Sequence, residues 1–220
     1  MTMRQNVNGV NIESAAEDKS VPGRRYHHGN LREELIATAL DMLEAQAEGT
    51  VSLRELARRV GVSPNAAYRH FPDKEALLAA LAAEGFKRLA ALQAGAGKGE
   101  GDPRAAFRAA GLAYVRFARQ NPALFRLMFG RFHDTDSARR DEALAAASAL
   151  AVEGLRRGVA RAAGLAEDDT AAIRVHALRA WSLVHGLSLL VLDGQVAAEG
   201  EALERLIQAV LTPESLLAVP

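Results

Sequence analysis

The sequence predicts an all-α fold of about nine helices, and three observations carry that reading. Alanine is abundant, β-branched residues are scarce, and aromatic residues make up only 5% of the 220. That mix favours helix over strand. Apolar residues recur at helical spacing in segment after segment. Capping residues, glycines and prolines stand at the joints between those segments. No internal repeat and no strand pattern interrupts them.

Residues 1–22 (MTMRQNVNGVNIESAAEDKSVP) are polar and aperiodic, and they lack the apolar core of a secretory signal. They are expected to form a disordered tail on a cytoplasmic protein. Helix 1 is expected from about Asn30, its N-cap, to Gln46. Its apolar stripe is Leu31, Leu35, Ile36, Ala39, Leu40, Met42 and Leu43. Helix 2 begins at Ser52, where Ser52-Leu53-Arg54-Glu55 has the form of a capping box, and it stops at Gly61. Helix 3 is capped by Ser63 and opens on Pro64, at a position that needs no N–H. It ends near His70, because Phe71 precedes Pro72 and is pushed out of the α region. Asp73 then caps a long helix 4 through Leu77, Leu78, Leu81, Phe86, Leu89 and Leu92.

Residues 94–103 (AGAGKGEGDP) hold four glycines and a proline, the clearest internal break. Helix 5 follows from Pro103 to Gln120, helix 6 from Ala123 to Phe129, and helix 7 from about Ser137 to Ala163. Asp168 or Asp169 caps helix 8, which reaches Leu192. Helix 9 runs from about Glu201 to Leu211. The expected organisation is a tail (1–22), a helix-turn-helix domain (23–73) and a helical domain (74–220).

Composition excludes several classes of function. The chain has no cysteine, hence no disulfide scaffold, thiolate nucleophile or Cys-ligated metal. It has no nucleotide-binding glycine motif and no clustered acid–base set, so no enzymatic activity and no cofactor are expected. The apolar runs are broken by His185, Asp193 and many arginines, and no membrane partner is expected. Lys+Arg and Asp+Glu both number 27. Zero net charge argues against polyanion binding by the whole surface but leaves room for a local basic patch.

The two short helices Leu53–Val60 and Pro64–His70, joined by Gly61-Val62-Ser63, fit a helix-turn-helix. Leu56, Ala57, Val62 and Ala67 can fill the small core beneath the turn, where Gly61 takes a positive φ at little cost. Asn65, Ala66, Tyr68, Arg69 and His70 are short or hydrogen-bonding, which suits a helix entering a groove ~12 Å wide. The run from Val51 to Leu81 (VSLRELARRVGVSPNAAYRHFPDKEALLAAL) is similar in order and spacing to the DNA-binding domain of the TetR family of bacterial transcriptional regulators. The match lies in the Leu-Ala core pair, the Gly-Val-Ser turn, the Tyr-x-His-Phe exit and the Lys that opens helix 4. Two later stretches, Pro122-ALFRLMFG and Trp181-SLVHGLSLLVLDG, resemble the TetR subgroup named for a Trp…His-Gly signature.

That resemblance implies roles. Tyr68, His70 and Lys74 match phosphate-contacting positions. For Tyr68 the plain alternative is packing under the turn, and for Lys74 a solvated helix end. Arg69 can reach a guanine edge or a phosphate, Asn65 an adenine edge, and Ala66 a thymine methyl. Ser52, Arg54, Ser63 and Pro64 complete the expected DNA-facing set, with Arg24 and Arg25 as a basic arm or a solvated tail. Arg58 and Arg59 are less clearly placed, because helix 2 has only one DNA-facing side.

In the helical domain Phe107, Ala110, Tyr114, Phe125, Met128, Phe129, His176, Trp181 and His185 are candidate pocket residues, with ordinary core as the alternative. His176 and His185 lie nine residues apart, about 900° at 100° per residue, and so point to opposite sides of helix 8. His133-Asp134-x-Asp136 and His27-His28 suggest a polar loop and a tail, and no metal is expected. Dimerisation is expected through Ile173, Ala177, Ala180, Val184, Leu187 and Val191 of helix 8, with Leu203, Leu206, Ile207 and Val210 of helix 9. Which face of helix 8 meets the pocket and which the dimer stays open.

The expected partners are double-stranded DNA with a pseudo-palindromic operator, a largely apolar or aromatic small-molecule effector, and a second copy of the chain. The expected function is repression released by the effector. The alternative is a TetR-like DNA-binding protein without small-molecule effector, controlled by a protein partner.

Overall fold

The computed structural model describes residues 31–45, 51–130 and 141–217, and among these it holds ten α-helices and no strand. Asn30, Arg24, Arg25, the His27-His28 pair, the tail and the His133–Asp136 stretch lie outside the described residues.

Helix α1 (Leu31–Ala45) buries Leu35, Ile36, Ala39, Leu40, Met42 and Leu43, the expected stripe apart from Leu31. Helix α2 (Leu53–Val60) ends at Gly61, whose φ of 80° turns the chain and lets Val62 N–H reach Ala57 O at 2.9 Å. The expected capping box does not form, for the Ser52 hydroxyl accepts no cap bond. Glu55 is drawn the other way along the helix, to Arg58 and Arg59. Helix α3 (Pro64–His70) is capped as expected, the Ser63 hydroxyl accepting from Ala66 N–H at 3.3 Å. Phe71 is extended and buried, with the Arg32 guanidinium 5.3 Å above its ring.

Helix α4 (Lys74–Ala96) is capped by Asp73 and rises about 35 Å. It runs into the glycine-rich stretch expected to be a break. Helix α5 (Pro103–Gln120) is capped by Asp102, which accepts from Arg104 and Ala105 N–H. The Asn121 side chain does not cap helix α6 (Pro122–Phe129). The Glu44 carboxylate of α1 does so, accepting from Ala123 N–H at 3.2 Å and Leu124 N–H at 2.9 Å. Helix α7 (Glu142–Ala163) is described from its cap Asp141 onward. Asp169, of the two candidates, caps helix α8 (Thr170–Leu192).

Helix α9 (Gly200–Val210) is followed by a tenth helix, α10 (Pro213–Leu217), that the sequence reading left out. Thr212 and Ser215 cap it reciprocally: Ser215 N–H donates to Thr212 Oγ1 at 3.1 Å, and Thr212 N–H to Ser215 Oγ at 3.0 Å.

The body is built around α4, α5, α7 and α8, with α10 packed on α8, α5 and α7. Close approach is set by glycine at two places. A Cβ at Gly85 of α4 would lie 2.5 Å from Met128 Sδ of α6, and one at Gly158 of α7 would lie 3.0 Å from the Phe107 ring of α5. One expectation needs correcting. Thr170–Leu192, with mean hydropathy 1.4, is long and apolar enough to cross a membrane by length and composition. Two imidazoles, His176 and His185, and two arginines, Arg174 and Arg179, do not lower that mean enough. About a third of its most apolar part is buried inside the protein.

Candidate nucleic-acid interface and C-terminal cavity

Helix α3 buries only Ala67. Pro64, Asn65, Tyr68, Arg69 and His70 are exposed and Ala66 is half-buried, so the chemistry of this short helix is not consumed by the fold. Ser52, Arg54, Ser63 and Lys74 are also exposed. Ser52, Tyr68 and Lys74 line one shallow notch, together with Val51, Leu53, Pro72 and the carboxylates Glu55, engaged by Arg58 and Arg59, and Asp73, which caps α4. An ammonium, a phenol and a hydroxyl converging there are donors suited to a phosphate oxygen.

Charge pairing separates the cations of this head. Glu55 binds Arg58 twice, at 2.8 and 2.7 Å, and Arg59 at 3.1 Å. These hydrogen bonds hold the Glu55 carboxyl at about 2, below its usual 4.5. Arg54, Arg69 and Lys74 make no ion pair among the described residues. Arg58 and Arg59 are therefore engaged within α2, whereas Arg54, Arg69 and Lys74 have no ion-pair partner among the described residues.

In the body, the candidate pocket residues divide into two groups. Tyr114, Phe125, Phe129, Trp181 and His185 pack ring on ring. Centroids lie 4.8 Å apart for Phe129–His185, 5.0 Å for Phe125–Phe129 and 5.6 Å for Tyr114–Phe125. The Tyr114 hydroxyl is 2.9 Å from His185 Nδ1 and accepts from Trp181 Nε1–H at 3.4 Å. The Tyr114 hydroxyl thus bridges Trp181 Nε1–H and His185 Nδ1, and with the imidazole proton on Nε2 it donates its own proton to Nδ1. Burial raises the Tyr114 ionisation and lowers that of His185, which favours the neutral form of both. His176, on the opposite face of α8, is buried with Nδ1 unpartnered among the described residues. Met128 is fully buried against α4.

Phe107 and Ala110 belong to the second group. They line a cavity of about 520 Å³ between the end of α4, the start of α5 and the middle of α7. Ala180 and Val184 of α8 and Leu216 of α10 close its far wall. The volume is that of a small-molecule site. Sequence reasoning missed the contributions of α7 and of the 97–101 turn. Isolated glycines such as Gly158 inside a helical pattern were the available signal.

The residues expected at a dimer surface are largely used inside the protomer. Ile173, Ala177, Ala180, Val184, Leu187, Leu203 and Ile207 are buried, and Val191 and Val210 are half-buried. Leu206 is 40% exposed. The face of α8 left in solvent carries Val175, Leu178, Trp181 and Leu190 instead. Both sides of α8 are apolar, so periodicity alone does not say which side faces inward.

Two family models match this chain. One, described as bacterial regulatory proteins, tetR family, covers residues 35–81. The other, described as tetracyclin repressor-like, C-terminal domain, covers residues 107–212. Among solved structures, a protein of unknown function from Rhodococcus sp. RHA1 is 34% identical over 88% of this chain and 97% of its own, with a TM-score of 0.71. A TetR family transcriptional regulator, PfmR, from Thermus thermophilus is 19% identical over 83% of this chain and 96% of its own, TM-score 0.57. A tetR-family transcriptional regulator from Streptomyces coelicolor is 21% identical over 82% of this chain and 78% of its own, TM-score 0.60. The last two likenesses concern the fold. With the head and the body each matched by a model of one family, the chain belongs to the tetR family of bacterial regulatory proteins and is a DNA-binding transcription regulator, not an enzyme.

Proposed function

We propose that this regulator is a cytoplasmic, homodimeric repressor that leaves its operator when a small molecule enters the C-terminal cavity. The observation that carries the reading is the pairing pattern of the head. Arg58 and Arg59 are held by Glu55, whereas Arg54, Arg69 and Lys74 stand exposed beside the polar face of α3. Each protomer sets α3 in the major groove, with Tyr68, His70, Ser52 and Lys74 on phosphates and Asn65, Ala66 and Arg69 on base edges. Arg24 and Arg25 extend this contact to flanking DNA. A two-fold dimer then reads a pseudo-palindrome. The exposed apolar face of α8, with Leu178 and Leu190, and Leu206 of α9 are the surface we assign to the dimer.

Release requires the ligand to prefer the state in which the two α3 helices are misplaced. Swinging the equilibrium from about 1:99 to about 99:1 takes a differential affinity of ~5.5 kcal/mol. Two physical links from body to head support such coupling. Helix α4 lines the cavity at one end and begins beside the recognition helix at the other. Helix α6 takes its N-terminal cap from Glu44 of α1. We also assign the body to the Trp…His-Gly subgroup, since Trp181 and His185 share the Tyr114 hydroxyl.

The test is selection of bound DNA from a random pool, followed by titration of the selected site by fluorescence anisotropy. Ala110→Phe, which fills the cavity, is expected to bind the operator normally and to be non-inducible by the regulated gene's inducer. One observation favours a second reading: the rings of Tyr114, Phe125, Phe129, Trp181 and His185 fill their own space, as in a body controlled by a protein partner. Operator release by no small molecule, with Ala110→Phe behaving as wild type, would favour it.

A further inference from the structure

The walls of the C-terminal cavity are not alike. On α5 the lining runs from Pro103 to Gly111, about 12 Å along the helix. At the Gly111 end the space closes on methyl groups: Leu216 Cδ1 and Val184 Cγ1 lie 3.4 and 3.5 Å from where a Gly111 Cβ would sit. At the Pro103 end the lining comes from the 97–101 turn, which carries Lys98 and Glu100. Helix α7 adds apolar and glycine positions, then Arg157 and Arg161 on either side of Gly158, where the Phe107 ring packs.

Three cations thus face one carboxylate. Arg157 is partly engaged by Glu153, with Nε 3.5 Å from Oε1. Lys98 and Arg161 have no ion-pair partner among the described residues, unlike Arg58, Arg59, Arg88, Arg119, Arg126 and Arg205. The one amide in the lining, Gln93, donates to Ala110 O at 3.3 Å.

We infer that the ligand of this cavity is an amphipathic acid: an unbranched apolar body against Ala180, Val184 and Leu216, and a single carboxylate held by Lys98 and Arg161. The inference rests on the reading of this cavity as the effector site. A guanidinium and an ammonium give a carboxylate charge-assisted bonds that an alcohol forms only weakly and an amine cannot form. The methyl-lined end excludes water from the chain and rewards length. A cationic ligand meets like charge in the lining, from Lys98, Arg157 and Arg161.

Isothermal titration of the full-length protein with octanoate, 1-octanol and octylamine tests the inference. Octanoate is expected to bind at least about tenfold more tightly than octanol, as one charge-assisted bond predicts, with octylamine weakest. The exposed double variant Lys98→Gln/Arg161→Gln should lose that advantage while its octanol affinity stays the same. Ala110→Phe should abolish binding of both. Equal affinity for all three probes, or an octanoate advantage that survives the double variant, overturns the acid assignment while the cavity remains a ligand site. Octanoate binding that Ala110→Phe leaves unchanged overturns the site itself. The absence of any heat from octanoate contradicts the acid assignment directly, and the operator-release experiment then decides the effector reading separately.

Discussion

Helices α3 and α8 meet solvent in opposite ways. α3 has seven residues, buries only Ala67, and exposes an amide, a phenol, a guanidinium and an imidazole. α8 has 23 residues, buries seven of them, and exposes Val175, Leu178, Trp181 and Leu190. Polar side chains in water are content until a partner offers matched acceptors. A row of apolar side chains in water is a standing cost that packing removes. On the function proposed above, recognition chemistry belongs to the short helix and assembly to the long one. Stability comes from neither helix, since the largest fully buried side chains include Leu35, Met42, Leu56 and Phe71 of the head and Leu124, Phe125 and Met128 of the body but nothing from α3 or α8.

The sharpest break in that comparison is a pair of aromatic truncations. Phe125→Ala, at a fully buried ring, should cost about 3–5 kcal/mol in denaturant unfolding. Tyr68→Ala, at a ring 39% exposed, should cost well under half of that and yet impair DNA binding. Comparable losses of stability would place Tyr68 in the core.

Next in size are charges on the two sides of α9. Leu206→Glu combined with Leu178→Glu should yield folded monomers in sedimentation velocity, because an unpaired charge in a closed interface costs about 3–5 kcal/mol. Ile207→Glu, one residue away and 3% exposed, should unfold the protomer instead. A dimer that tolerates the first pair would move the interface elsewhere.

A smaller effect is expected at Glu44. Glu44→Ala leaves two α6 amides uncapped and should lower stability by about 1 kcal/mol, as loss of a cap does. It should also weaken the effect of ligand on operator affinity, which a purely local cap would leave unchanged.

The smallest effect on stability concerns Glu55. Its carboxyl is depressed in the folded protein, to about 2 from 4.5, so its contribution is complete above about pH 4.5 and fades as pH falls toward about 2. Glu55→Gln should remove that acid dependence. It should also free Arg58 and Arg59 beside the DNA face, giving tighter binding with a steeper salt dependence.

The head was more legible in sequence than the body, for reasons visible in single residues. Ser63, Gly61 and Asp73 act through bonds to residues three or four positions away, and Pro64 through its fixed φ at the first helical position, so their roles follow from local spacing. Ser52 misled because Glu55 had nearer cations to bind. Thr212-Pro213-Glu214-Ser215 carries the local capping signal for α10. Glu44 carried none, since its partners lie about 80 residues away. In α8 the apolar pattern covers both faces, so that Val184 lines a cavity and Leu178 meets solvent under one periodicity. Of the expected pocket residues, mostly aromatic, Phe107 and Ala110 line the space, which is otherwise left by small residues such as Gly154, Gly158 and Ala106. Large rings fill space, and small residues leave it.

The central claim is that α3 and the start of α4 hold DNA through unpaired polar groups, and the salt dependence of operator binding tests it most directly. Anisotropy titrations across a range of salt concentrations should give a slope of log affinity on log salt that is shallower by about 0.9 in Lys74→Ala than in wild type. Tyr68→Ala, which removes a neutral donor, should weaken binding to every sequence with little change of slope. Wild-type affinity and slope in both variants would contradict the docking of this face on DNA.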